Sequence, residues 1–220
     1  MERKDKDMMK QAGKIEAGEE SEVNQNNTLN YYNRNAQRFV ADTIFVDFES
    51  TQKRFMEKLP QGGSVLDFGC GSGRDTKYFL SKGYQVTAID GSKELCKMAS
   101  EYTGIKVKHM LFEELEECNQ YDGIWACSSI LHLTSEKLFE VLNKMIIALK
   151  EEGIIYTSFK YGNFEGERDG RYFTNMTAAS LEKILQKIDS VRVEELWITS
   201  DVRPGRDEEK WINVILKKRK

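Results

Sequence analysis

Val65-Leu-Asp-Phe-Gly-Cys-Gly-Ser-Gly-Arg-Asp75 decides the reading of this 220-residue chain. An apolar run of strand character enters a turn with glycines at 69, 71 and 73, and a helical pattern starts directly behind it. Glycine permits positive φ and lets a ligand approach the backbone closely. The first turn of the helix beyond offers unpaired N–H groups to an acceptor. A second acid, Asp90, ends the next apolar run 23 positions after Asp67. In a doubly wound fold, ligands lie across the carboxyl ends of the strands, and an acid there can grip two ribose hydroxyls.

The pattern outside this stretch alternates strand and helix. Strands are expected at 64–68, 85–90, 106–110, 123–127, 153–159, 191–198 and 211–217, and helices at 74–82, 93–101, 136–149 and 178–188. Gly83, Gly104 and Gly153 stand where C-terminal caps belong. Such alternation implies right-handed βαβ crossovers, hence an α/β, doubly wound, Rossmann-like sheet of seven mostly parallel strands. The short turn at 201–206 makes the last strand antiparallel. Upstream, apolar residues from Tyr31 to Leu59 recur at helical spacing and predict two helices joined around Asp47. Residues 28–60 therefore read as a helical lid on a domain covering 28–220. Residues 1–27 are too polar to bury much surface and read as a disordered or loosely helical tail.

Composition excludes several classes. The chain is 40% hydrophobic and 31% charged, with two prolines, which suits a globular domain rather than a fibrous one. No apolar run approaches the ~20 residues of a membrane helix, and MERKDKDMMK lacks the apolar core of a secretory signal, so a cytoplasmic protein with no membrane partner is expected. A net charge of −3 argues against a protein that coats nucleic acid. The four cysteines form no Cys-x-x-Cys pair and have no histidine at ligand spacing, so no metal is expected and the thiols read as reduced.

Two cofactor types share the glycine-turn layout, and spacing separates them. A dinucleotide site wants its third glycine at the sixth position, which is Arg74 here, and Asp67 at the strand end repels phosphate but suits an amino group. Asp67-x-Gly69-x-Gly71-x-Gly73 followed by Asp90 resembles the first two motifs of class I S-adenosylmethionine-dependent methyltransferases. Gly-Ser-Gly-Arg-Asp, Gly-Tyr-x-Val-Thr-Ala and Ala-Leu-Lys-x-x-Gly are similar to the small bacterial, tellurite-resistance-like (type 11–12) branch. The resemblance runs from about Tyr31 to the C-terminus.

It implies S-adenosylmethionine as cofactor, S-adenosylhomocysteine as product, and a set of cofactor residues. Asp67, Gly69, Cys70 and Gly71 would meet the methionine part, and Asp90, Gly91 and Ser92 the ribose. Leu111, Phe112 and Glu113 would enclose adenine, with Phe112 equally readable as core, and Cys127 and Ser128 would line the reactive sulfonium. The acceptor is expected to be a small molecule. His132, just past the fourth strand, is the one candidate base near the transfer face; bonding to backbone at a helix entry is its other reading. His109 reads as structural.

Substrate contacts are expected from Tyr31, Tyr32 and Arg38 in the entry helix and from Tyr161, Arg168, Arg171 and Tyr172 in the long loop after the fifth strand, with Arg203 and Arg206 as additions. The loop's acids, Glu165, Glu167 and Asp169, leave open a self-paired, solvated loop instead. Two alternatives stand beside a small-molecule methyltransferase. One is methylation of tRNA or other RNA by a basic loop, and the other a non-catalytic module that binds S-adenosylmethionine.

Overall fold

Val65 to Phe68 are buried on both sides, and that burial fixes this segment as the middle of the sheet. The computed structural model describes the backbone from Glu2 and side chains from Ser21 to Lys220; the expected tail over 1–27 lies largely outside those side chains. Nine strands follow in chain order: β1 (Ser64–Phe68), β2 (Gln85–Asp90), β3 (Lys108–His109), β4 (Tyr121–Ala126), β5 (Leu149–Lys160), β6 (Glu165–Arg168), β7 (Arg171–Thr174), β8 (Val191–Ser200) and β9 (Lys210–Lys218). Seven of them form one sheet in the order β3-β2-β1-β4-β5-β9-β8, and β6 and β7 form a separate hairpin. The five strands from β3 to β5 pair in parallel, while β9 runs antiparallel to both neighbours. The expected sheet is thus present.

Six helices flank it: α1 (Glu2–Thr43), α2 (Glu49–Met56), α3 (Arg74–Ser81), α4 (Lys93–Thr103), α5 (Ser135–Ala148) and α6 (Ala178–Leu185). Strand period sorts the core into two layers. Leu66, Phe68, Ile124 and Ile155 join Leu138, Val141, Leu142 and Met145 of α5 on one face. Val65, Trp125 and Tyr156 join Phe55 of α2 and Phe79 of α3 on the other. Asp67 shares that second face, so the acid points toward α3. The backbone of α1 departs from helical geometry at Asn35 (φ −111°, ψ 16°), and α1 packs on α4 and β7.

Three expectations need correcting. Gly153 does not cap α5: the helix passes directly into β5 at Leu149, and the positive φ falls on Glu152 (62°). A Cβ on Gly153 would sit 2.9 Å from the Lys150 carbonyl oxygen, so tight passage into the sheet explains this glycine. The third strand shrinks to Lys108–His109, because at the sheet edge it has only β2 to pair with. The segment after β5 is no open loop: Asp169 (φ 52°) and Gly170 (φ 72°) make the two-residue turn of a hairpin. Among the described residues, no helix is long and apolar enough to cross a membrane.

Candidate active site

The β1 chain leaves the sheet at Phe68 and turns through Gly69 (φ 85°), Gly71 (φ 55°) and Gly73 (φ 79°), all in the left-handed region. Gly69 and Cys70 N–H both donate to the Ile89 carbonyl, tying the start of the loop to β2, and Gly73 N–H closes a turn onto the Cys70 carbonyl. A Cβ on Gly69 would lie 2.6 Å from Ser129 Cβ, and one on Gly71 3.0 Å from Phe39 Cε1. Both side chains line the cavity onto which the backbone of the loop opens. That cavity measures about 730 Å³, within the ~300–1,000 Å³ of ligand pockets.

Asp90 ends β2 at the wall of this cavity. Its Oδ2 accepts from Gly71 N–H (2.9 Å) and its Oδ1 from Ser92 N–H (2.8 Å), which fixes the carboxylate but leaves each oxygen a further lone pair. Burial pushes its pKa up against those two bonds. Cys70, Gly91, Leu111, Phe112, Cys127 and Ser128 also line the cavity. The Phe112 ring packs 4.7 Å from that of Phe68 and also lines the cavity.

Three expected cofactor residues sit elsewhere. Asp67 is 2% exposed and absent from the cavity wall; Thr76 donates its hydroxyl proton to Asp67 Oδ2 behind the loop. Burial, reinforced by the nearby Asp75, raises the Asp67 pKa to about 8. Glu113 turns away to Lys137 Nζ (3.0 Å) and Gln25 Nε2 (3.0 Å). Ser92 caps α4, accepting from Leu95 N–H. Arg74 and Asp75, unlike Asp67, are both at the wall. Arg74 grips Asp75 bidentately (2.8 and 2.8 Å), and Gln52 and Trp125 Nε1 bond the same carboxylate.

Across the cavity, His132 donates from Nδ1 to the Tyr172 carbonyl (2.6 Å) and accepts at Nε2 from the Tyr32 hydroxyl (2.8 Å). The carbonyl partner dictates this tautomer. Burial, opposed by the bond to Tyr172 and helped by Arg171 and Lys160, lowers its pKa to about 4, so the ring is neutral near pH 7. His109 bonds the Gly91 carbonyl (3.0 Å), the structural role expected of it.

Of the expected substrate residues, Tyr32, Tyr161, Arg168 and Arg171 line the cavity, as do Arg203 and Arg206. Tyr31 stands behind Arg171, its ring 4.2 Å from the guanidinium. Arg38 is a correction: its side chain is 83% exposed and pairs with Asp42 on the outer face of α1. The side chain of Tyr172 turns to Glu165 (3.1 Å) and stays off the wall; what it gives the site is its carbonyl. Arg203 is held by Asp201. Gln25, Thr28, Leu29 and Phe39 roof the cavity from α1; the last three lie in the lid expected over 28–60, and Gln25 is the one that sequence reasoning missed. Their i, i+3, i+4 spacing from Gln25 to Tyr32 was the available signal, hidden because Gln25 fell in the polar tail.

A seven-stranded sheet in this order, with a glycine turn after β1 and a carboxylate closing β2, is a fold this chain shares with solved S-adenosylmethionine-dependent methyltransferases. Residues 65–153 match the family model described as a methyltransferase domain. The chain is 29% identical over 125 residues to YqeM of Bacillus subtilis, itself named only provisionally as a methyltransferase, covering 51% of this chain and 50% of that one. It is 32% identical over 125 residues to N-terminal Xaa-Pro-Lys N-methyltransferase 1 of Xenopus tropicalis (50% and 56% covered). The chain thus spans about half the length of these curated relatives. A 1,6-didemethyltoxoflavin-N1-methyltransferase of Burkholderia thailandensis, solved with S-adenosylhomocysteine, shares the fold (TM-score 0.65, 20% identity, 78% and 77% covered). These matches do not single out the tellurite-resistance-like branch.

Proposed function

We propose that the chain transfers a methyl group from S-adenosylmethionine to a small-molecule acceptor by in-line displacement. The observation that carries this is the pairing of an open glycine turn with Asp90 at the wall of one 730 Å³ cavity. The residues fit the donor. Asp90 keeps lone pairs for two ribose hydroxyls, Gly69 and Gly71 leave the backbone bare, and Leu111 and Phe112 offer an apolar flank for adenine. Arg74 and Asp75 replace Asp67 as the polar pair for an amino-acid end. Bound there, the donor supplies an electrophilic sulfonium methyl.

The protein's own work is to align the acceptor and exclude water. The α1 roof does the excluding. Tyr32 and His132 supply a polar wall where an acceptor hydroxyl or amine can bond. With its Nδ1 proton committed to Tyr172, neutral His132 can take a proton only at Nε2, through the Tyr32 hydroxyl. A separately folded RNA-binding module is not needed for this reading, and a cavity of about 730 Å³ roofed by α1 suits a small acceptor better than RNA. Calorimetric titration with S-adenosylmethionine, S-adenosylhomocysteine and NAD tests it. Binding of the two adenosyl ligands alone supports the proposal; binding of NAD alone overturns it.

A further inference from the structure

The β6–β7 hairpin places two arginines face to face. Its Asp169-Gly170 turn fixes the register so that Arg168 pairs directly with Arg171. Like charges directly opposite on a two-stranded ribbon are destabilising. Nothing nearby neutralises them: among the described residues neither arginine has a carboxylate within 4.0 Å, although Lys160, Arg203 and Arg206, on the same cavity, all do.

The two guanidinium groups instead share one aromatic ring. Arg168 lies 5.3 Å and Arg171 5.1 Å from the centre of Phe173, with Phe164 at 4.9 Å from the first and Tyr31 at 4.2 Å from the second. Stacking of this kind orients a guanidinium but brings no opposite charge. Arg171 Nε is, moreover, buried with no hydrogen-bond partner, a costly arrangement for a charged donor. Both side chains reach the cavity wall beside the Tyr32–His132 pair.

We infer that Arg168 and Arg171 together bind an oxyanion, a carboxylate or a phosphate ester, carried by the methyl acceptor. This rests on the methyltransferase reading for the word acceptor, though not for the anion site itself. A shared oxyanion removes the repulsion between the two cations, and the planar forks suit its geometry. The aromatic surround favours an anion attached to a flat, apolar body. It also separates this site from one built for a lysine-bearing peptide terminus, which two bare arginines would repel.

The test uses the full chain with benzoate, phenyl phosphate and neutral benzamide as probes, titrated with and without saturating S-adenosylhomocysteine. At least one of the two anions is expected to bind tenfold or more tightly than benzamide. The double variant Arg168→Gln/Arg171→Gln should lose that tenfold while S-adenosylhomocysteine affinity changes less than twofold, and Arg171→Lys should retain part of the preference. Equal affinity for benzoate, phenyl phosphate and benzamide, or binding of no probe, overturns the inference. So does an unchanged anion preference in the double variant, or an RNA stem–loop that outcompetes both small anions. Failure of S-adenosylhomocysteine to bind while the anion preference persists would remove the methyltransferase reading and leave the anion site standing.

Discussion

Single residues divide the two acids of the motif into different jobs. Asp90 sits at the cavity with its carboxylate held by two backbone N–H groups, so it is already aimed before any ligand arrives. Asp90→Ala should weaken S-adenosylhomocysteine binding at least tenfold, about 1.4 kcal/mol, by calorimetry; unchanged affinity would remove it from the ribose role. Asp67, by contrast, is buried against Thr76 and off the wall. Its folded pKa of about 8 lies above the unfolded value, so the folded state holds the extra proton and stability falls as pH rises from about 4 to about 8. Asp67→Asn keeps the shape and the bond to Thr76, and should flatten that decline between pH 6.5 and 8 in thermal melts of the unliganded protein. Sequence showed both acids but not which one lines the cavity; that depends on strand pleat, which turns Asp67 toward α3.

Elements show what the glycines are for. Gly69 and Gly83 share φ 85°, yet a Cβ on Gly69 would strike Ser129 at 2.6 Å while one on Gly83 meets nothing within 4 Å. Gly83→Ala should cost only the backbone term, about 1–2 kcal/mol. Gly69→Ala should cost visibly more in denaturant melts and also weaken adenosyl-ligand binding; equal costs would contradict the packing argument. The strands β1 and β2 were legible to the residue, because buried apolar runs ending in glycine or aspartate leave few alternatives. The β6–β7 hairpin was not. Its strands carry Glu, Gly, Arg and Tyr instead of alternating apolar residues, and the Asp169-Gly170 turn was its one local signal. Missing it hid the opposition of Arg168 and Arg171. Of the α1 roof, Gln25 was hidden, since it falls in the polar stretch that reads as a tail, while Thr28, Leu29 and Phe39 lie inside the helical lid expected over 28–60.

Over the whole molecule, the topology follows from strand–helix alternation, and the two core layers from strand period. What the chain alone could not convey is charge pairing across distant segments, such as Lys137 with Glu113 or Lys160 with Glu209. Burial of one ring shapes the response to acid. His132 has a folded pKa of about 4, below its unfolded ~6.5, so the unfolded chain binds the extra proton between those values. Stability contributed by the neutral ring is present above pH 6.5 and lost as pH falls toward 4, by up to about 3 kcal/mol. His132→Gln should shrink the acid-side loss in melts from pH 7 to 4.5; an unaltered slope would mean the ring titrates normally. One further consequence lies in Asp75, where Gln52 of α2, Arg74 of α3 and Trp125 of β4 converge at the cavity wall. The indole N–H of Trp125 is tethered to the same carboxylate that faces an incoming ligand, and its ring stacks 4.1 Å from Tyr156. The protein thus carries its own optical reporter: occupancy of the site should shift Trp125 emission, and Trp125→Phe should silence that part of the signal.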